Sequence, residues 1–497
     1  MYLLGYDIGS SSIKAALVNA DTGDPIGVTQ YPTSEMEITS IHNGWAEQEP
    51  DLWWENLVQA TAALLSTYDI DPEEIGGIGI AYQMHGLVMI DKHHQVIRPS
   101  IIWCDSRAVE IGDRAFEALG PEYCLKHLLN SPGNFTASKL AWVKENEPQL
   151  YQKVYKIMLP GDYIAMRLTG EINTTVSGMS EGMFWDFDKD QLASFLLDYY
   201  HLDAGVIPDI VPTFSDQGRL SASAAKILAL KPGIPIGYRA GDQPNNALSL
   251  NVLNPGEVAA TGGTSGVVYG VVDQPVYDPS MRVNGFAHVN HTSEKPSIGI
   301  LLCINGAGIQ YSWMHQHVGK GNYTYQQMES MAEKVSVGAD GLRLIPFGNG
   351  AERMLENKSI GSQLINLQLN RHSDEHLFRA ALEGIAFSFV YGMEVLNTMG
   401  LSAELIKVGN DNLFQSAIFS NTIATLANSN IQLIETTGAI GAASAAGIAA
   451  GSFNSLEEAL TSSKVVKEYH PMKETEAYQE AYLKWKSDLQ HVLKTSN

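Results

Sequence analysis

The chain has 497 residues and 44% apolar content, enough for two or three domains with substantial cores. Its formal charge of −23 excludes a general nucleic-acid binder, which needs a basic footprint. Charged residues are only 18% and glycines number 45, a composition that suits a compact, turn-rich enzyme rather than a disordered or coiled-coil protein. Cys104, Cys124 and Cys303 are far apart with no CxxC, which fits a reducing compartment and argues against a zinc site. His288 with His291, and His315 with His317, lack partners at metal-ligand spacing and read as loop and helix-face residues. Asp7 stands where a secretory signal needs apolar residues, and the Gly/Ala tract at 438–451 is too weakly apolar for a membrane span. The expectation is a soluble, cytoplasmic protein that binds neither membrane nor nucleic acid.

Residues 2–8 predict a buried strand, 9–12 a Gly/Ser turn, and 13–18 and 25–31 two further strands, an antiparallel opening meander. A Trp-rich stretch, Gly44 to Pro50, leads into a helix at 51–67 with Trp53, Leu57, Ala60 and Leu64 on one stripe. Residues 75–81 predict an apolar strand ending in Tyr82-Gln83-Met84-His85-Gly86, and 87–91 and 101–105 two more. From 106 to 230 the pattern is mainly helical. Near the midpoint stands Gly241-Asp242-Gln243-Pro244-Asn245-Asn246. Gly241 permits a sharp turn there, so the Asp242 carboxylate either projects from a strand end into neighbouring space or caps a loop. Strand, Thr261 to Gly266 turn and strand then repeat the opening unit half a chain later. That repetition predicts two similar domains, 1–247 and 248–497, with a Gly/Ser/Thr turn from each facing a shared cleft. Helix is expected at 373–397 and 413–428, a strand at 405–408, close helix packing at Gly438 to Ala443, and amphipathic helix after 456.

Two Gly/Ser/Thr hairpin turns can wrap a polyphosphate through backbone N–H groups and hydroxyls. No GxxxxGK[ST] occurs, and no GxGxxG follows a strand. Asp7, beside the first turn, either suits a hydrated Mg²⁺ or caps the turn.

Tyr6-Asp7-Ile8-Gly9-Ser10-Ser11-Ser12-Ile13-Lys14, Gln83 to Gly86, Trp103-Cys104-Asp105-Ser106-Arg107, Gly241-Asp242-Gln243, Gly263-Thr264-Ser265-Gly266 and Glu383 to Phe387 together resemble the FGGY family of carbohydrate kinases. The match runs in order from residue 2 to about 450. Within the family, Gly44-Trp45-Ala46-Glu47-Gln48 and Met84-His85-Gly86 are similar to the xylulose-phosphorylating branch. The resemblance implies an α/β fold of two ribonuclease-H-like (actin/hexokinase-type) domains, each with a mixed sheet, closing on ATP and a ketose. It implies Asp242 as general base, and Met84, His85, Asp105 and Gln243 as sugar-binding residues. Ser10, Ser11, Ser12, Lys14, Gly263, Thr264, Ser265, Gly306, Gln310, Gly409 and Asn410 are implied at the nucleotide, and Asp7 at Mg²⁺ through water. Homodimers are common among similar kinases. Three segments depart from the family: Cys104 replaces an Asn, Gly409-Asn410-Asp411-Asn412 replaces Gly-Gly-Gly-Ala, and Gln243-Pro244-Asn245-Asn246 replaces Asn-Ala-Ala after the base. The expected activity is phosphorylation of D-xylulose at its 5-hydroxyl. Alternatives are a kinase for another ketose or polyol (ribulose, sedoheptulose or glycerol-like), an actin- or chaperone-like ATPase, and a non-catalytic sugar sensor.

Overall fold

The structure, a computed structural model, describes residues 1–495. Two mixed sheets organise it. The first contains β1 (Tyr2–Ile8), β2 (Ile13–Asn19), β3 (Pro25–Tyr31), β4 (Ile75–Tyr82) and β5 (Ile236–Gly241), in the spatial order β5-β4-β1-β2-β3. β1, β4 and β5 are parallel, whereas β2 and β3 run antiparallel as the expected meander. β4 reads Ile-Gly-Gly-Ile-Gly-Ile-Ala-Tyr and is almost wholly buried, as befits a central strand covered on both faces.

The second sheet contains β6 (Val258–Gly262), β7 (Gly266–Val272), β8 (Asn284–Ala287), β9 (Ile298–Ile304), β10 (Leu405–Gly409), β11 (Asn430–Glu435) and β12 (Lys464–Tyr469). Its order is β8-β9-β7-β6-β10-β11-β12. Without the edge strands β8 and β12, the remaining five repeat the first sheet's order: an antiparallel trio followed by two strands parallel to its first member. The repetition read from two hairpin turns is therefore a repetition of whole sheets, the ribonuclease-H-like arrangement.

The helices that bear on the site are α1 (Pro50–Thr67), α2 (Thr136–Asn146), α3 (Pro160–Thr169), α4 (Val176–Glu181), α5 (Asp242–Ser249), α6 (Gly308–Trp313), α7 (Tyr325–Ala332), α8 (Asp374–Asn397), α9 (Ala417–Ala427), α10 (Gly438–Ala449) and α11 (Glu476–Thr495). Among them, α10 ties the halves together. It follows the second sheet's β11 yet lies on the first sheet. A Cβ on Gly5 of β1 would run into the Ala439 carbonyl, and one on Gly79 of β4 into that of Ala442; at Gly237 of β5 it would come 2.7 Å from that of Ala446. Each central parallel strand thus offers a glycine to a successive turn of α10. The small residues at 438–443 pack on this sheet and also on a helix, as expected: a Cβ on Gly441 would run into Ser249 Oγ of α5. α5 runs through residue 247, where the two halves were divided, and Ala247 joins a core cluster with Ala259, Tyr269 and Val271 of the second sheet.

Three other expectations change. Residues 101–105 are not a strand: only Ser100–Ile101 is, and Trp103-Cys104-Asp105 turns away from it. A short 3₁₀ turn, Leu413–Gln415, precedes α9 where one helix was expected. The segment after 456 contains the exposed edge strand β12 before α11, because Lys464-Val465-Val466-Lys467-Glu468-Tyr469 pairs with β11. Among the described residues, no helix is long and apolar enough to cross a membrane.

Candidate active site

Parallel register sets three strand ends in one row: Ile8 pairs with Tyr82, and Tyr82 with Gly241. Residues that follow are delivered to the carboxyl edge of the sheet, where open α/β sheets hold ligands. Asp7 lies one residue inside this edge, Met84 and His85 follow β4, and Asp242 follows β5. One edge thereby carries Asp7, Met84, His85, Asp242 and Gln243.

Asp242 opens α5, with Gly241 as the preceding cap residue. At Gly241, with φ −59° and ψ 155°, β5 turns directly into α5, the expected sharp turn at a strand end, made without a left-handed conformation. Crowding explains the glycine instead: a Cβ there would lie 2.6 Å from Met84 Cγ and 2.8 Å from Glu181 Oε2. Burial, and then the negative charge of Asp7, pushes the Asp242 carboxyl up to about 7 against hydrogen bonds from Gln243. Burial also raises Asp7, opposed by Lys14 directly across the hairpin. A Cβ on Gly438 would stand 3.0 Å from Asp7 Oδ2, so α10 begins against this carboxylate. Asn245 Nδ2, on α5, donates to the Gly438 carbonyl at 2.9 Å and fixes the two helices together.

His85 has a left-handed φ of 62°, an uncommon conformation for a residue with a side chain. Its surroundings hold it there. Nδ1 donates to the Glu181 carbonyl at 2.9 Å, and the His85 carbonyl accepts from Lys139 Nζ at 2.9 Å. Lys139 also donates to the Ile102 carbonyl at 2.9 Å, joining the end of β4 to the Trp103 turn. Burial drives this lysine down to about 7, and burial plus Lys139 drive His85 down to about 3, so the imidazole is neutral. Phe135 and Phe286 flank the ring, with centroids at 4.7 and 5.4 Å.

Asp105 is fully buried. Its carboxylate accepts from Ala46 N at 2.6 Å, Arg107 N at 2.9 Å, and Arg107 Nη2 at 2.7 Å. Arg107 in turn covers the Trp45 ring at 3.8 Å and pairs with Glu47 at 2.7 Å. Asp105 is therefore built into a Trp–Arg wall with its acceptors taken.

At the first hairpin turn Ser11 is exposed, and Ser10 and Ser12 are half-buried. Ser10 Oγ accepts from Trp103 Nε1 at 3.3 Å. At the second, Thr264 is exposed, and the carbonyls of Gly263 and Thr264 accept from Gly308 N and Ile309 N at 3.0 Å each. A cavity of about 730 Å³ opens beside this turn, with Gly263, Thr264, Gly308, Tyr325, Asp411 and Asn412 on its walls. Four expected nucleotide residues lie behind those walls. The Gly306 N–H is held by Glu352 at 2.9 Å, Gln310 is buried, and Gly409 and Asn410 precede the Asp411-Asn412 pair that faces the cavity. Asn412 Nδ2 donates to the neighbouring Asp411 Oδ1 at 2.9 Å.

Lys139, Glu181 and Glu352 were absent from the expected site. The signals were a lone lysine in an apolar helix segment (Ala137-Ser138-Lys139-Leu140-Ala141), an acid within Gly178 to Met183, and an acid in the glycine-rich loop at 348–353. His288 is a buried structural histidine, bonded to Tyr269 Oη at 3.0 Å and the Val252 carbonyl at 3.1 Å.

Residues 2–249 match the FGGY family of carbohydrate kinases, N-terminal domain. The chain is 29% identical over 471 residues to the xylulose kinase of Bacillus subtilis, covering 92% of this chain and 90% of that one. Against the Escherichia coli xylulose kinase the identity is 27%, covering 93% and 92%. The solved xylulose kinase of Rhodospirillum rubrum aligns with a TM-score of 0.89 at 25% identity, covering 99% of both chains. Plasmodium falciparum glycerol kinase shares the fold at a TM-score of 0.87 and 19% identity. With this motif order, this doubled sheet and these relatives, the chain belongs to the FGGY family of carbohydrate kinases and has their two-domain actin/hexokinase-like fold.

Proposed function

We propose that the protein transfers the γ-phosphoryl group of ATP to the 5-hydroxyl of D-xylulose, giving D-xylulose 5-phosphate and ADP. The observation that carries this reading is Asp242, a half-buried carboxylate at a strand end, raised to about 7 beside Asp7. A base with that affinity both exists deprotonated near neutral pH and accepts a proton readily. The sugar hydroxyl gives its proton to Asp242 as its oxygen bonds to the γ-phosphorus, and ADP departs with the electrons of the broken P–O bond. Phosphoryl transfer requires chiefly positioning and charge neutralisation. Ser10, Ser11, Ser12 and Lys14 from one half, and Gly263, Thr264 and Ser265 from the other, would hold the phosphates. Asp7 would hold Mg²⁺ through water: a single carboxylate beside a hydroxyl-rich turn suits an ion that keeps its waters, and the ion would neutralise charge on the β- and γ-phosphates. In this reading residues 1–247 bind sugar and 248–497 bind nucleotide, and the enzyme works in the cytoplasm.

Met84, His85 and Gln243 are the sugar contacts best supported, since they share the edge with Asp242. Asp105 would reach a sugar only if its bonds to Arg107 opened, and that observation favours a second reading, a kinase for another ketose or a polyol. ADP release over a panel of ketoses and polyols decides between them. D-Xylulose should give the highest kcat/KM. A different preferred sugar would select the second reading, and no stimulation by any sugar would refute both.

A further inference from the structure

Glu181, the last residue of α4, is only 1% exposed, and neither carboxyl oxygen has a hydrogen-bond partner of good geometry. Buried polar groups are ordinarily well satisfied, so a carboxyl with only the Tyr82 hydroxyl loosely beside it needs a reason. Its neighbours supply one. Oε2 lies 3.9 Å from His85 Nδ1, and it fills the space that a side chain on Gly241 would need. Tyr82, the last residue of β4, stands beside it. Glu181 thus sits beneath the end of β4 and the end of β5, between the two residues that flank the sugar end of the cleft.

The charged groups around it are accounted for. Asp162 on α3 pairs with Arg239 of β5 at 2.9 Å, Lys139 is spent on two carbonyls, and Asp242 lies beyond Gly241. Among the described residues no cation pairs with Glu181, and burial raises its carboxyl well above the usual range, which favours the neutral acid. Its backbone contributes separately. A carbonyl only accepts, so the 2.9 Å contact with His85 Nδ1 puts the imidazole hydrogen on Nδ1. In the neutral ring, Nε2 is then a bare acceptor.

We propose that Glu181 is a positioning residue for the sugar end of the site: its carbonyl fixes the His85 tautomer, and its carboxyl, wedged between His85 and Gly241, sets the spacing between His85 Nε2 and the Asp242 carboxylate. This deepens the sugar-kinase reading and rests on it. The substrate must then present two hydroxyls to the pair, one donating to Nε2 and the reacting one to Asp242.

Glu181→Gln keeps the shape and the neutrality, whereas Glu181→Ala removes the wedge. In the full chain, E181A should raise the KM for the preferred sugar by about tenfold or more while the KM for ATP stays within about twofold. E181Q should remain within about threefold of wild type in both constants. Equal damage in both variants, or an unchanged sugar KM in E181A, overturns the proposal. The ¹⁵N shifts of the His85 ring provide a reading independent of turnover. Wild type and E181Q should show the Nδ1–H tautomer at pH 7, and a wild-type Nε2–H ring overturns the proposal. If wild type turns over no sugar while the ring shifts are as expected, the kinase reading fails and the placement of His85 by Glu181 stands.

Discussion

Around Asp242 the first sheet's edge is sealed: Lys139, Glu181 and Arg239 are no more than 1% exposed, and each lies against residues at or next to a strand end. Around Thr264 the second sheet's edge is open, with a cavity of about 730 Å³ and Tyr325 half exposed on its wall. The same five-strand arrangement underlies both. What differs is how the edge is covered. At the sealed end, burial tunes the charges, so Asp242 is raised and His85 is neutral. At the open end the fold supplies backbone turns, hydroxyls and an aromatic surface, which suit a phosphate chain and a flat base. In the proposed reading, the sealed end positions a proton transfer and the open end admits and releases a larger molecule.

If that contrast is right, substitutions at the two ends should separate in kinetics. The largest effect is expected for Asp7→Asn, which removes both the proposed Mg²⁺ carboxylate and the like charge beside Asp242. kcat should fall by at least about 100-fold. Because Asp7 raises Asp242, the acid limb of the remaining activity should move to lower pH, as seen in a kcat/KM profile between pH 5 and 9. An unmoved limb would show that the two acids are not coupled. Lys139→Met comes next. It leaves the carbonyls of His85 and Ile102 without their donor, at a cost of about 1–3 kcal/mol each. The melting temperature should drop and the sugar KM rise about tenfold, with the ATP KM unchanged. An equal rise in both constants would erase the distinction between the ends. The smallest effect is expected at the open end: Tyr325→Ala should raise the ATP KM by a few-fold, in line with about 0.5–1.5 kcal/mol for one aromatic contact, and leave the sugar KM alone. Initial rates over both substrates read out all three variants.

Much of this was legible in the sequence because it was local. Asp7, Met84 and His85 lie at or beside the end of a largely apolar strand that can be read from its own residues, whereas the strand before Asp242 is interrupted by Arg239. The doubled turn pointed to the doubled sheet for the same reason. Lys139 and Glu181 were not legible, since their importance comes from long-range contacts: Lys139 meets His85 across 54 positions, and Glu181 meets it across 96. Gly241 was noticed for the turn from β5 into α5, whereas the crowding by Met84 and Glu181 around it cannot be seen from position 241 alone. The small residues of α10 were read as a helix contact, which Gly441 makes with Ser249 of α5; the row of glycines on three strands that also receives them lies far away in the chain. At the nucleotide end the motif expectation fell on Gly409 and Asn410, and the two residues that follow, Asp411 and Asn412, line the cavity.

Asp242→Asn addresses the central claim most directly, because it keeps the side chain's size and removes its ability to take a proton. Sugar-dependent ADP release by the full-length variant, measured at pH 8 with saturating ATP, should fall by about 10²–10⁴-fold while ATP binding stays at the wild-type level. Near wild-type turnover in that variant would contradict the assignment of Asp242 as the base.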